Sequence, residues 1–196
     1  MSTFDQVKHE IDRLDPYHLL EMHAPQDEYD AESRKISDRI TYADSAEQIA
    51  AVIADVMQTA FGEPDSPARF PDTAVRIRRA LCCEYYGGMS DQFEYGNLSD
   101  AECIPLANEI IRQTRTETDS VILEMIWNAV HVLITNRNVA DQLDLLPLTE
   151  NPLRFDAQSA EYLPDIFAAS GIPQYREIIR QIYSEYPQID LPSDCI

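Results

Sequence analysis

Residues 45–62 read SAEQIAAVIADVMQTAFG, and this stretch decides the fold class. Ser45 and Gln48 stand at the spacing of a capping box, in which the serine oxygen accepts the Gln48 backbone N–H. Behind them Ile49, Val52, Ile53, Val56, Met57, Ala60 and Phe61 recur at three- and four-residue intervals and line one broad helical face. Gly62 then supplies the left-handed stop. Start, periodicity and end all agree on a helix.

The same period continues outward. Phe4, Val7, Ile11 and Leu14 form an apolar stripe, and Asp15-Pro16 ends that helix and offers an N-cap for a short turn over YHLLEM, 17–22. Tyr29, Ser33, Ile36 and Ile40 share a face on a helix expected over 30–41. Downstream, EPDSPARFPD, 63–72, holds three prolines and reads as a linker or a sharp redirection. Ala74, Val75, Ile77, Leu81 and Cys82 mark a helix whose other face carries Arg76, Arg78 and Arg79. Residues 84–98 hold three of the five glycines and read as a loop. Ser99 to Glu102 repeats the capping-box spacing and opens a helix with Leu106, Ile110 and Ile111 inside, and a long helix follows over 120–136. PLTENP, 147–152, breaks the chain again.

In the last part, Leu163, Ile166 and Phe167 precede a Gly171 stop and a Pro173 start, and face Tyr175, Ile178, Ile179 and Ile182 across an antiparallel pair that resembles a HEAT-type hairpin. No run alternates apolar and polar residues as a half-buried strand would, and five glycines are too few for a sandwich with many tight turns. The expected fold class is all-α, an array or bundle of about seven to nine helices. The expected organisation is a small helical domain or subdomain over 1–62, the proline-rich linker 63–72, and a helical region over 73–196.

With 196 residues, 44% hydrophobic and 26% charged, the chain has the length and composition to bury a core. Its formal net charge is −20 and is unevenly spread. Residues 1–62 carry 13 acids against 5 bases, 63–116 carry 9 against 6, and 117–196 carry 13 against 4. Such a field repels nucleic acid and anionic membrane and attracts basic proteins or cations; solubility alone is the competing explanation. Three arginines at 76, 78 and 79 are too few for nucleic-acid binding in so acidic a chain, and are expected to pair with local acids.

Cys82, Cys83, Cys103 and Cys195 include no C-x-x-C, which fits free buried thiols in a reducing compartment better than a zinc site or a disulfide framework. MSTFDQVKHEID lacks the basic and apolar regions of a secretion signal. The most apolar run, VILEMIWNAVHVLI, 121–134, is interrupted by Glu124, Asn128 and His131 and is too short to span a bilayer. A soluble, cytoplasmic protein is expected.

Four carboxylates crowd APQDEYDAES, 24–33: Asp27, Glu28, Asp30 and Glu32, around Tyr29. Three readings are open. The ordinary one is a helix start, with Asp27 or Asp30 capping, Glu28 and Glu32 complementing the dipole, and Tyr29 packed inward. The others are a partner-facing acidic patch using Asp27 and Glu28, and a metal or acid–base site, which would need the carboxylates to converge. The wider run LDPYHLLEMHAPQDEYDAES, 14–33, resembles a small bacterial domain of unknown function whose pattern pairs Trp-Asp-Pro with a later Ala-Pro-x-Asp-Glu-Tyr-Asp. Asp15-Pro16, Leu19-Leu20, Ala24-Pro25 and Asp27-Glu28-Tyr29-Asp30 carry the match, Leu14 replaces the tryptophan, and the resemblance covers about residues 4–62. Related sequences look like immunity proteins, small cytoplasmic inhibitors encoded beside bacterial toxins. The resemblance therefore implies toxin binding and no defined chemistry.

Other residues compete for a role. His18 and His23 are one residue too far apart for two ligands on one helical face, so a surface or capping role is expected. Glu124, Asn128, His131 and Thr135 form a polar stripe on the long helix, either a solvated face or the wall of a groove, with Trp127 in the core. A Cys–His nucleophile from Cys82 or Cys103 with His131 has no family signature behind it. The stretch 84–98 sets Tyr85, Tyr86, Phe93 and Tyr95 among glycines and beside Glu84, Asp91 and Glu94. Aromatic anchors flanked by acids suit a basic protein surface, and folding back onto the core is the alternative. Tyr86, Asp91, Phe93, Glu94 and Tyr95, with Asp27 and Glu28, are the expected partner-binding residues. No catalytic residue, metal or cofactor is expected.

The leading expectation is a non-enzymatic immunity-type inhibitor of a basic toxin, a nuclease being one such class. A HEAT-like scaffold or adaptor is the alternative, and a carboxylate–metal hydrolase built on Asp27–Asp30 or Glu124–His131 is a third.

Overall fold

Ser2 opens the first helix as Ser45 opens a later one: its hydroxyl accepts the Asp5 N–H at 3.2 Å, and its own N–H donates to the Asp5 carboxylate at 3.0 Å. The computed structural model describes residues 2–62 and 64–151, together with Ile166, Ala169, Arg180 and Ser184. Among these residues there are seven α-helices and no strand, so the fold is all-α. They are α1 Thr3–Leu14, α2 Asp30–Ser37, α3 Ala46–Phe61, α4 Pro71–Tyr95, α5 Asp100–Gln113, α6 Ser120–Asn136 and α7 Leu146–Glu150. Three-residue 3-10 turns lie at Pro67–Arg69 and Ala140–Gln142. The chain divides into two compact units, residues 1–85 and 86–196, with residues 71–85 of α4 in the first and 86–95 in the second.

In the first unit α1 packs on α2, α2 on α3, and α3 on the Pro67–Arg69 turn. Val7 and Ile11 of α1, Tyr29 and Ile36, Ile49, Ile53 and Met57 of α3, and Phe70, Ala74, Ile77 and Leu81 share one buried cluster. Residues 64–72 of the expected linker thus lie within this unit, and Phe70 is fully buried in its core. Burial of one such side chain stabilises by about 1.5–3 kcal/mol, so Phe70 ties the redirection to the core. Ser45 and Gln48 make the expected box, with Ser45 N–H donating to Gln48 at 2.8 Å and Gln48 N–H to Ser45 Oγ at 3.3 Å. Gly62 adopts φ 72°, where a side chain would be strained.

In the second unit α5 packs against α6 and α7. Cys103, Ala107, Ile110 and Ile111 of α5 are buried, as are Ile122, Leu123, Ile126, Trp127, Val130 and Leu133 of α6. Leu106, expected inside, is instead 37% exposed: it falls on the outer side of α5, off the Cys103–Ala107–Ile110 face. Asn151 fastens the chain after α7, its amide donating to the carbonyl of Thr114 and, at 2.7 Å, to that of Glu117. The expected helical pair around Gly171 lies outside the described residues, apart from Ile166, which is helical and buried.

Candidate functional site

The stretch around Tyr29 is organised by a residue fourteen positions upstream. Asp15 ends α1 in the left-handed conformation, φ 44°, and its carboxylate accepts three hydrogen bonds. The Tyr29 hydroxyl donates at 2.8 Å, the Glu21 N–H at 2.9 Å and the Leu20 N–H at 3.2 Å. The Tyr17 N–H donates back to the Tyr29 hydroxyl oxygen at 3.2 Å. Burial pushes the Asp15 carboxyl up, but these donors outweigh it and hold it below the usual aspartate range. Burial and the Asp15 hydrogen bond push the Tyr29 phenol up to about 12. The Asp-Pro and Glu-Tyr-Asp parts of the motif therefore meet as one part-buried lock.

Neighbouring contacts extend it. Tyr17 donates to Asp65 at 3.0 Å, Arg69 donates to the same carboxylate at 3.0 Å and to the Pro16 carbonyl, and Tyr17 packs on Phe61 with ring centroids 4.1 Å apart. His18 and His23 both take positive φ, 57° and 70°, and with Asp15 they are the described non-glycine residues that do so. The turn 17–23 is thus bent tightly around the Asp15 carboxylate, a cost that the hydrogen bonds offset. Its outer surface presents Glu21, Met22 and His23, all exposed, with His18 Nδ1 2.9 Å from Glu21.

The four carboxylates of 24–33 do not converge. The residue before α2 is Tyr29, and no side chain caps that helix, so neither Asp27 nor Asp30 has the expected capping role. Asp30 instead meets the Lys8 ammonium at 2.5 Å, which also binds Asp12 at 3.0 Å and the Gln26 carbonyl at 2.7 Å. Lys8 thereby ties α1 to α2, and Asp30 is spent on this tie. Glu32 is buried, 3.8 Å from Lys35. Asp27 and Glu28 are exposed, with no ion pair among the described residues. Helix α2 ends at Ser37, short of the expected 41, yet Tyr29, Ser33, Ile36 and Ile40 are all buried as the shared face required.

The stretch 84–98 is not a loop. Helix α4 runs through Gly87 and Gly88 to Tyr95, because Cys82, Tyr86, Met89 and Phe93 recur at four, three and four residues and are all buried. Tyr86 donates to Gln113 at 2.7 Å and Phe93 is fully buried, so both serve the core and neither is an exposed anchor. Arg137 ends the helix by donating to the carbonyls of Phe93 at 3.2 Å and Leu98 at 2.8 Å, with the Asp100 carboxylate at 3.0 Å. What remains outside is Asp91, Glu94 and Tyr95. Tyr95 is 77% exposed, and its phenol is pushed up by the Glu94 hydrogen bond and by the Glu94 and Asp91 charges.

The polar stripe of α6 lies on its outer side: Asn128 and Thr135 are exposed and Glu124 and His131 half-buried, while Trp127 is fully buried. Burial pushes the Cys103 thiol up, opposite to the shift that activates a nucleophile. Among the described residues no three His, Cys, Asp or Glu side chains gather as a metal-binding group. Arg76 meets Glu10 of α1, 66 positions away, at 2.5 Å, and Arg78 donates to the Asp44 carbonyl at 3.1 Å. No described helix is long and apolar enough to cross a membrane.

Two features escape the linear reading. The Asp15–Tyr29 bond carries no periodic signal, although both residues stand in the quoted motif. Tyr42 and Tyr85, 43 positions apart, stack with centroids 3.6 Å apart, and only the fold brings them together. No protein-family model, curated relative or solved structure matches the chain.

Proposed function

We propose that this chain is a non-enzymatic acidic protein that binds and neutralises a basic protein partner, in the manner of an immunity protein that occludes a bacterial toxin. The observation that carries the reading is the end of α4, where the highly exposed Tyr95 stands between carboxylates that no cation neutralises among the described residues. An amphipathic ring beside open negative charge supplies both a desolvating anchor and charged hydrogen-bond acceptors. The net charge of −20 supports the same reading by accelerating encounter with a basic partner. Asp27 and Glu28, exposed in the first unit, add further open negative charge. Basic toxins such as nucleases present complementary charge.

The test is a pull-down with the tagged protein from a lysate of its source cells at low and then moderate salt, followed by expression of the captured partner. One stoichiometric basic protein, released as salt rises and toxic unless co-expressed with this chain, is the expected result. Several neutral housekeeping proteins retained together would replace this reading with a helical scaffold.

A further inference from the structure

A cavity of about 290 Å³ opens on the first unit, lined by Thr3, Ile40, Tyr42, Leu81, Glu84 and Tyr85. Its walls are mainly apolar and aromatic, with the two tyrosine rings stacked at an interplanar angle of 10°. At its edge Glu84 is exposed and accepts a 2.6 Å hydrogen bond from the Gln6 amide, which orients the carboxylate without neutralising it. No cation forms an ion pair with Glu84 among the described residues. The nearby Arg78 of α4 is held by the Asp44 carbonyl.

We infer that this cavity is a docking site for one arginine side chain of a basic protein partner. The chemistry of the walls selects the occupant. A guanidinium is planar and weakly hydrated, stacks on tyrosine faces, and forms paired hydrogen bonds with a carboxylate. An ammonium would be better hydrated and gain less from stacking. The volume lies just under the range of sites for drug-sized molecules, which suits a single side chain. Apolar Ile40 and Leu81 would cover the methylene stem while Glu84 meets the charged head. The inference deepens the proposed function by naming a partner group, and rests on that reading for the statement that the arginine belongs to a protein.

The test uses the full chain and N-acetyl-arginine amide as the probe, followed by amide resonances in NMR titration. Saturable shifts confined to Thr3, Ile40, Tyr42 and Glu84 are expected, with N-acetyl-citrulline amide, the uncharged isostere, binding at least about tenfold more weakly. Glu84→Gln, which keeps the Gln6 contact, and Tyr85→Leu, which keeps apolar volume, should each weaken the arginine probe about fivefold or more. Circular dichroism shows that each variant is folded, and Glu84→Gln stands alone if Tyr85→Leu is not. Absence of saturable shifts, equal binding of the citrulline probe, or unchanged binding to a folded Glu84→Gln would overturn the site. That failure leaves the pull-down outcome untouched, so the cavity and the inhibitor reading fail separately.

Discussion

The Tyr29 hydroxyl sits on a fully buried ring and makes one 2.8 Å bond to a carboxylate. Tyr29→Phe keeps the ring and removes that donor, leaving Asp15 short of a partner and the Tyr17 N–H without its acceptor. A loss of about 1–3 kcal/mol is expected in urea denaturation followed by circular dichroism. An unchanged midpoint would mean that the lock contributes nothing. Linkage gives a second expectation. The folded Asp15 carboxyl lies below its ordinary value, so its contribution is complete above the usual aspartate range and disappears as pH falls through the folded value. The stability gap between the native chain and Asp15→Asn should therefore narrow between about pH 5 and pH 2. For Tyr29 the sign reverses: its raised phenol supports the fold below about pH 10, the ordinary tyrosine value. That support is lost as pH rises through about 12.

At the scale of an element, α4 separates two meanings of glycine. Gly87 and Gly88 lie inside the helix with nothing within 4 Å of an added Cβ. Gly87→Ala and Gly88→Ala should each stabilise by about 0.5–1 kcal/mol, because alanine loses less backbone freedom in a helix. At Gly96 an added Cβ would run into the Gln92 backbone, so Gly96→Ala should destabilise. Melting curves for the three variants check both signs; destabilisation at 87 and 88 would mean that this backbone is not helical. Paired glycines beside a third at 96 made 84–98 look like a loop. The opposing signal was legible in the apolar spacing of Cys82, Tyr86, Met89 and Phe93, whose burial outweighs the helix cost of two glycines.

For the whole molecule, the net charge of −20 matters through its field more than through any one pair. Asp91→Lys together with Glu94→Lys replaces two negative charges by two positive ones beside exposed Tyr95, with neither carboxylate engaged in the core. Association with the captured basic partner should slow about tenfold or more at low salt, with the difference shrinking as salt screens the field. Stopped-flow measurements at two ionic strengths check this, and an unchanged rate at low salt would remove the end of α4 from the interface. Circular dichroism of the free variant should be unaltered, since both side chains point to solvent.

The helical class, both expected capping boxes, the Gly62 stop, the limits of α6 and the inward faces of α1 and α3 are all legible in the linear chain, because they depend on neighbours within one or two turns. The sequence also identified 14–33 as unusual and proposed a helix start there. Tertiary structure decided what that motif does: Asp15 and Lys8 reach across to Tyr29 and Asp30, so side chains that looked like caps became ties between elements. It likewise turned Tyr86 and Phe93 inward, left Tyr95 outside, and built the Tyr42–Tyr85 cavity from distant residues. Periodicity specifies which face of a helix is apolar. Which partner that face meets, and which polar groups the meeting leaves without water, depends on contacts between segments far apart in the chain.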